Sequence, residues 1–269
     1  MVLELIFLRD GDIISSENEL PFLERRIVMV RTFCRDITPP ELKLSKFRRK
    51  PRPRRDPYDG LRPWSAITHG IGALLALLGT VALLIRSWGS PAHFWAFAVY
   101  GASMVCLYTA STLYHCINTS VRGRLALRKY DHCSIYLLIA GSYTPVCLLA
   151  LPSPQGQLLC GAVWALAVAG LVLTLAWIDC PRWLTSGVYL FMGWMALGAL
   201  GSIVRALPAD GLFALVLGGV LYSIGGVLYA VKWPGRNNPR FGCHEIFHVF
   251  ILLGSLCHYW MMYHVIAAM

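Results

Sequence analysis

The sequence predicts an all-α protein: a bundle of seven transmembrane helices with its N-terminus in the cytoplasm and its C-terminus outside. Of the 269 residues, 57% are hydrophobic and only 14% are charged, and the mean hydropathy is +0.56. These values lie outside the usual range of soluble proteins. The nine cysteines form no C-x-x-C pair and are expected to be free thiols. A secreted disulfide scaffold, a collagen-like chain and a largely disordered protein are therefore excluded. Acidic residues are scarce in the apolar region, and those after residue 61 are Asp131, Asp179, Asp210 and Glu245.

Seven apolar runs follow Trp64, and each is long enough for a helix to cross a hydrocarbon layer of about 30 Å. The predicted spans, in chain order, are 65–85, 93–114, 131–151, 157–177, 184–204, 211–231 and 244–267. Tryptophans near the predicted ends are typical of membrane interfaces. They are Trp64, Trp88, Trp177, Trp183 and Trp233.

The segments between these runs mark where each span ends. All but one of them combine proline, glycine or aspartate in the way that turns do. The remaining loop, after the second span, is basic instead. In order, the breaks are Gly89-Ser90-Pro91, the loop with Arg122, Arg124, Arg128 and Lys129, then Pro152-Ser153-Pro154, Asp179-Cys180-Pro181, Leu207-Pro208-Ala209-Asp210 and Pro234-Gly235-Arg236.

The distribution of Lys and Arg predicts the orientation. With the N-terminus in the cytoplasm, 22 of the 24 basic residues lie on the cytoplasmic side, and only Arg86 and Arg205 lie outside. Without the whole segment that precedes the first span, the ratio is still 8 to 2. The orientation is therefore opposite to that of a G-protein-coupled receptor.

Residues 1–60 are predicted to form a basic cytoplasmic arm that precedes the membrane domain of residues 61–269. Eight Lys or Arg residues lie between Lys43 and Arg55, interspersed with proline, so this segment is too charged to pack. Such a block beside a span is a topology signal and a contact for anionic lipid headgroups. It has no aromatic platform for bases, so we expect membrane lipids and no nucleic acid as partners. Both a regulatory role and no role are compatible with the arm.

The predicted orientation brings rare polar residues from separate spans to the cytoplasmic leaflet. Ser111 and His115 lie near the inner end of span two, and Asp131 opens span three. His244 and His248 begin span seven and are four residues apart, so both rings address one point. Ionisable groups inside a membrane are costly and usually face the bundle interior. Three imidazoles with an open fourth position form the donor set of a catalytic zinc site, beside which Asp131 would orient or deprotonate water.

Each of these residues also has a purely structural interpretation. His115 alone fits an interfacial histidine at a helix end, and Asp131 fits an N-cap of span three. Ser111 can hydrogen-bond to its own helix. His69, near the inner end of span one, fits either a pairing with another helix or a ligand. The site interpretation is favoured because these groups come from separate segments and converge on one leaflet.

Residues 244–248 also match H-E-x-x-H, the zinc-protease motif in which the glutamate is the general base. The extended motif needs a histidine at position 254, where this chain has Gly254, and no acidic residue follows Glu245 as a third ligand. An intramembrane protease is therefore disfavoured.

Four stretches, in order along the chain, resemble the bacterial hemolysin III proteins, which belong with the progestin and adipoQ receptors. They are 65–70 (SAITHG), 111–115 (STLYH), 130–132 (YDH) leading to 140–145 (AGSYTP), and 244–250 (HEIFHVF). The resemblance extends from about residue 62 to the C-terminus, and residues 1–60 have no counterpart in it. It implies a seven-helix bundle with the N-terminus inside, in agreement with the charge distribution.

The resemblance also implies roles for individual residues. In the adiponectin receptors the histidines that correspond to His115, His244 and His248 bind zinc. The residues that correspond to Asp131 and Ser111 lie close to the water that zinc activates. The related receptors are associated with ceramide hydrolysis, and the superfamily includes alkaline ceramidases. Bacterial members take their name from haemolytic activity.

The predicted function is that of a multi-pass plasma-membrane protein with a Zn²⁺ site near its cytoplasmic face. We expect it to hydrolyse an amide or ester bond in a lipid substrate, as a ceramidase does. Two alternatives from other classes remain: a pore-forming cytolysin of the hemolysin III type, and a non-catalytic sensor or receptor of membrane state in which zinc is structural.

Overall fold

A computed structural model describes residues 61–235, 238 and 241–269, and the predicted arm of residues 1–60 lies outside the described residues. This part of the chain is helical and contains no strand. Its helices are α1 (Pro63–Arg86), α2 (Pro91–Cys116), α3 (Val121–Pro145), α4 (Gln155–Ala176), α5 (Arg182–Trp194), α6 (Leu200–Ala206), α7 (Ala209–Val231) and α8 (Cys243–His264).

Seven helical segments of the described chain are long and apolar enough to cross a membrane, with α5 and α6 together forming the fifth. The prediction of an all-α bundle of seven spans is therefore confirmed. The outer face of α1 shows what kind of surface the bundle presents. Leu74, Leu75 and Leu78 on that face are each more than half exposed. A surface of this kind suits contact with lipid, and the protein is a multi-pass membrane protein.

The first two helices each begin with a proline, two residues before the predicted start of the span. Pro63 and Pro91 lie in the first turns of α1 and α2, where the missing backbone N–H has no helical partner to lose. The Ser90 side chain accepts a hydrogen bond from the backbone N–H of His93 and so caps α2.

The third helix begins earlier than predicted, at Val121 instead of residue 131. Its N-cap is Ser120, whose hydroxyl oxygen accepts a hydrogen bond from the backbone N–H of Gly123 at 3.2 Å. Asp131 therefore lies inside α3, and its interpretation as an N-cap is wrong. The apolar run marks the part of a helix that lies in lipid, whereas arginine and lysine favour helix and continue it into the polar region.

Two spans contain irregular turns. The helix α3 widens into a π-helical turn over Val146–Ala150, directly after Pro145, which lacks a backbone donor. The fifth span, predicted as one helix, is interrupted by the 3₁₀ turn Met195–Ala199. At this interruption the Tyr143 hydroxyl donates to the Gly193 carbonyl at 2.7 Å and accepts from the Ala196 N–H at 2.9 Å. These bonds satisfy backbone groups that the broken helix leaves free.

Helix α1 packs closely against both α2 and α8, and this packing positions the site. A Cβ atom on Gly72 of α1 would lie 2.7 Å from Cδ1 of Tyr108 in α2 and 2.8 Å from Cδ2 of Leu252 in α8. Only glycine leaves room for both side chains. The inner side chains of α1 therefore lie in contact with the two helices that carry the predicted ligands.

Candidate metal centre

His115, His244 and His248 lie together at the end of the bundle where α2 ends and α8 begins, which we call the site end. His115 is in the last turn of α2, and His244 and His248 are in the first two turns of α8. His115 and His248 are each 2% exposed, and His244 is half-buried. The structure therefore brings together all three histidines that the sequence predicted as ligands.

The distances between the three rings suit a single metal ion. One nitrogen from each ring lies within 4.8 Å of one nitrogen from each of the others. Nε2 of His115 and Nε2 of His244 are 3.0 Å apart. Nitrogen ligands around a tetrahedral zinc ion are separated by about 3.3 Å, given zinc–nitrogen bonds of about 2.0 Å. The His115–His244 separation is thus close to that of two zinc ligands, and the three rings lie near enough to one another to be candidates for one ion.

The same pair of nitrogens is also suited to a hydrogen bond. Without a metal, His115 and His244 can share a proton between their Nε2 atoms, one as donor and the other as acceptor. The donor set is entirely imidazole, which suits zinc and other transition metals better than calcium or magnesium. The residues therefore fit a transition metal, and the hydrogen bond is the arrangement that metal binding would replace.

Ser111 lies one helical turn before His115 on α2 and is 2% exposed. Its hydroxyl has no hydrogen-bond partner within the described residues. The sequence-based alternative, a hydrogen bond to its own helix, is absent from the described structure. A buried hydroxyl without a partner normally binds water or a ligand.

Asp131 lies on α3, and its side chain is 14% exposed. Its carboxylate oxygen Oδ2 is 3.4 Å from Nδ1 of His132 and interacts electrostatically with His115 and His244. No positively charged side chain forms an ion pair with it in the described chain. Asp131 therefore contributes a carboxylate, free of Lys and Arg, close to the histidine cluster.

His69 of α1 is a fourth histidine at this site. Its ring stacks on that of His248, with the centroids 3.6 Å apart and the planes inclined by 10°. The ring of Tyr108 meets it edge-on, at 5.1 Å. The predicted pairing of His69 with another helix is therefore present in the structure. Neither ring nitrogen of His69 has a hydrogen-bond partner among the residues described.

Glu245 is turned to α1 and is fully buried. One guanidinium nitrogen of Arg62 donates to both carboxylate oxygens, at 3.0 and 3.2 Å. The Ser65 hydroxyl donates to Oε1 at 2.9 Å, and the Gly242 backbone N–H donates to Oε2 at 2.8 Å. The carboxylate is thus occupied by structural contacts, which removes the general base that the zinc-protease motif requires.

Sequence reasoning did not identify Arg62 and Ser65 as parts of this site. The signal was present in Glu245 itself, because a carboxylate inside an apolar segment requires a partner. The pairing joins residues 183 positions apart, which no local pattern can indicate.

The chain is similar to several known proteins over most of its described residues. A family model described as haemolysin-III related matches residues 63–259, a range that includes all three clustered histidines. A hemolysin-3 homolog of Bacillus subtilis is 39% identical over 193 residues, which cover 71% of this chain and 87% of that protein. Hemolysin-3 of Bacillus cereus is 36% identical over 193 residues, or 71% of this chain and 85% of the relative. The ADIPOR-like receptor IZH2 of Saccharomyces cerevisiae is 27% identical over 187 residues, which cover 59% of this chain and 55% of the receptor.

Proposed function

The chain belongs to the haemolysin-III-related family of membrane proteins, and on that premise we propose that it is a zinc-dependent hydrolase of amide or ester bonds in a lipid. The main support for this proposal is the cluster of His115, His244 and His248. One ring nitrogen of each lies within 4.8 Å of one nitrogen of each of the others. An entirely structural explanation would have to account for three imidazoles that converge from two helices inside an apolar bundle.

The three imidazoles would hold Zn²⁺ through one nitrogen each and leave a fourth position open. The chemistry that zinc supplies in such a donor set is the Lewis-acid activation of water. Asp131 would accept the proton of that water at its carboxylate, and the unpartnered hydroxyl of Ser111 would hold the water by a hydrogen bond. Hydrolysis then adds the oxygen to the acyl carbon and releases an amine or alcohol, which takes up the proton.

The proposed partners are membrane lipids. We place the site end at the cytoplasmic face, because 22 of the 24 basic residues then lie inside. A substrate with its acyl chains in the bilayer and its polar linkage near the inner surface would meet the histidines at the depth where α8 begins. Anionic headgroups are the proposed contacts of the basic arm.

Metal analysis of the purified full-length protein tests the first part of the proposal. We expect about one zinc per chain in the wild type and almost none in a His244→Ala/His248→Ala double variant. Occupancy should also fall at acidic pH, because a protonated imidazole cannot bind a metal. Equal zinc in the wild type and the double variant would refute the proposed site.

Reconstitution into lipid vesicles separates the proposed hydrolase from its alternatives. The vesicles would contain ceramide or an ester lipid together with an entrapped dye. Release of fatty acid that depends on zinc and on Asp131 supports the hydrolase. Dye leakage that persists after zinc removal supports a pore-forming cytolysin, the activity suggested by the names of the Bacillus relatives. Neither activity, with zinc still bound, supports a membrane-state sensor with structural zinc.

A further inference from the structure

The carboxylate of Glu245 differs in burial and bonding from the carboxylate of the other Arg–carboxylate pair in the described chain. Glu245 is fully buried and accepts hydrogen bonds from Arg62, Ser65 and Gly242. In the other pair, Arg128 lies 3.0 Å from Asp179, whose side chain is 53% exposed. Burying a carboxylate costs several kcal/mol, and an apolar replacement of similar volume is often as stable. The Arg62 side chain is 36% exposed, so the cost falls mainly on Glu245, and stability alone is not a sufficient reason for a carboxylate at this position.

The position of Glu245 on α8 connects it to the metal centre. Successive residues of an α-helix are rotated by about 100°, so Glu245 projects about 60° from His248 and about 100° from His244. When its carboxylate is bound to α1, the rotation of the first two turns of α8 is restricted. The directions of both imidazoles are then restricted as well.

Arg62 also contacts the helix that carries the third ligand. Its backbone N–H donates to the carbonyl oxygen of His115 at 3.1 Å, while its guanidinium group holds Glu245. A single residue thus bonds to the end of α2 at His115 and to the start of α8 beside His244. Farther along α1, the stacking of His69 on His248 provides a second contact between α1 and α8.

We propose that the Arg62–Glu245 pair is a positioning element of the metal site, which holds His244 and His248 of α8 at bonding distance from the same ion as His115 of α2. The proposal rests on the proposed zinc site. Partners behind metal ligands typically change metal affinity about 10- to 100-fold when they are removed. Here the effect acts through the placement of α8, because the Glu245 carboxylate bonds to Arg62 and Ser65 and not to a ligand ring.

Positioning and simple charge effects predict opposite results for one of the two partners. Arg62 carries a positive charge that interacts electrostatically with His244, so its removal would strengthen cation binding if charge alone mattered. If Arg62 acts by positioning, its removal weakens binding. Removal of both partners cancels the change in net charge and leaves only the loss of positioning.

The experiment measures zinc affinity by competition with a chelator, on the full-length protein purified in detergent. The variants are Glu245→Gln, Arg62→Met and the double variant, with Arg128→Met and Asp179→Asn as controls that break the exposed pair. We expect each site variant, including Arg62→Met, to bind zinc about 10- to 100-fold more weakly. The control variants should stay within twofold of the wild type. Zinc bound more tightly by Arg62→Met would overturn the proposal in favour of a charge effect.

A second measurement separates positioning from a general loss of structure. Cobalt substituted for zinc gives a visible absorption spectrum that reports the ligand geometry. We expect altered spectra in the site variants, while thermal unfolding and gel filtration still show folded protein. Arg62→Lys, which keeps the charge but loses the forked geometry, should restore part of the affinity. If Glu245→Gln fails to fold, the zinc affinities of Arg62→Lys and Ser65→Ala are measured instead, because both substitutions weaken hydrogen bonds to the Glu245 carboxylate.

The outcomes distinguish this proposal from the proposed function. If the wild type binds zinc no better than His244→Ala/His248→Ala, the zinc site itself is absent and the positioning role is overturned with it. If the wild type binds zinc and all the pair variants stay within twofold of it with an unchanged cobalt spectrum, only the positioning role is overturned.

Discussion

His69 and His248 stack face to face, with their ring centroids 3.6 Å apart and their planes nearly parallel. His248 is one of the three proposed ligands, whereas His69 lies outside that group of three. A ring packed against a ligand restricts the rotation of that ligand, so the contact gives α1 a direct influence on the metal centre. His69 can therefore support the site in two ways: its ring can hold His248 in place by packing, or one of its nitrogens can bind the metal.

Substitution of His69 separates these two roles. We expect His69→Ala to weaken zinc binding about 10-fold, as the loss of a supporting group does, while the protein still binds one zinc per chain at saturation. His69→Phe should restore most of the affinity, because an aromatic ring can take the same stacked position. Zinc affinity and stoichiometry in detergent are the measurements. A His69→Phe variant as weak as His69→Ala would mean that a nitrogen of His69 binds the metal.

Asp131 is expected to affect turnover and leave metal content unchanged. Asp131→Asn removes the carboxylate that accepts a proton but keeps its size, so lipid hydrolysis should fall by a factor of about 10² to 10⁴. Zinc content should equal that of the wild type, because the three histidines are intact. Asp179→Asn is the matched control, since Asp179 pairs with Arg128 on the exposed surface. Full activity in Asp131→Asn would remove Asp131 from the proposed reaction.

Ser111 should have a smaller effect than Asp131. Its hydroxyl is buried without a partner in the described structure, and Ser111→Ala deletes it without adding bulk. The loss of one hydrogen bond to water corresponds to about 1 kcal/mol, or roughly a fivefold fall in the rate of hydrolysis. The measurement is the rate at saturating lipid with zinc content determined on the same sample. A complete loss of zinc would instead assign Ser111 to metal binding.

Gly72 is expected to be sensitive to a single methyl group. An added Cβ would lie 2.7 Å from Tyr108 and 2.8 Å from Leu252, so both side chains would have to move. We expect Gly72→Ala to destabilise the protein by about 1–3 kcal/mol, measured as a lower thermal unfolding temperature in detergent. Gly161→Ala in α4 is the control, because a methyl group added there would have no heavy atom of another residue within 4 Å in the described structure. Equal losses in the two variants would argue against the close packing of α1.

The orientation can be tested at Cys116, the last residue of α2, whose side chain is exposed at the site end. In a variant that retains only this cysteine, a membrane-impermeant maleimide should label inverted vesicles and leave intact cells unlabelled. A variant with its single cysteine at Ser153, exposed in the turn between α3 and α4, should show the reverse. Labelling of Cys116 from outside would invert the predicted topology.

Several features of this protein follow from the sequence alone. Hydropathy is a local property, so the apolar runs predict all seven spans and most of their limits. The spacing of His244 and His248 places both rings on one side of a helix in any fold. Together with His115 at the end of another span, this spacing predicts the histidine cluster that the structure contains.

Other features are decided only by the tertiary structure. The pairing of Arg62 with Glu245 and the stacking of His69 on His248 join residues far apart in the chain, and they depend on how each helix is rotated against its neighbours. The start of α3 at Val121 and the interruption of the fifth span also differ from their apolar patterns. A sequence pattern identifies which face of a helix is apolar, but the side chain that meets a given residue is decided when all the helices pack at once.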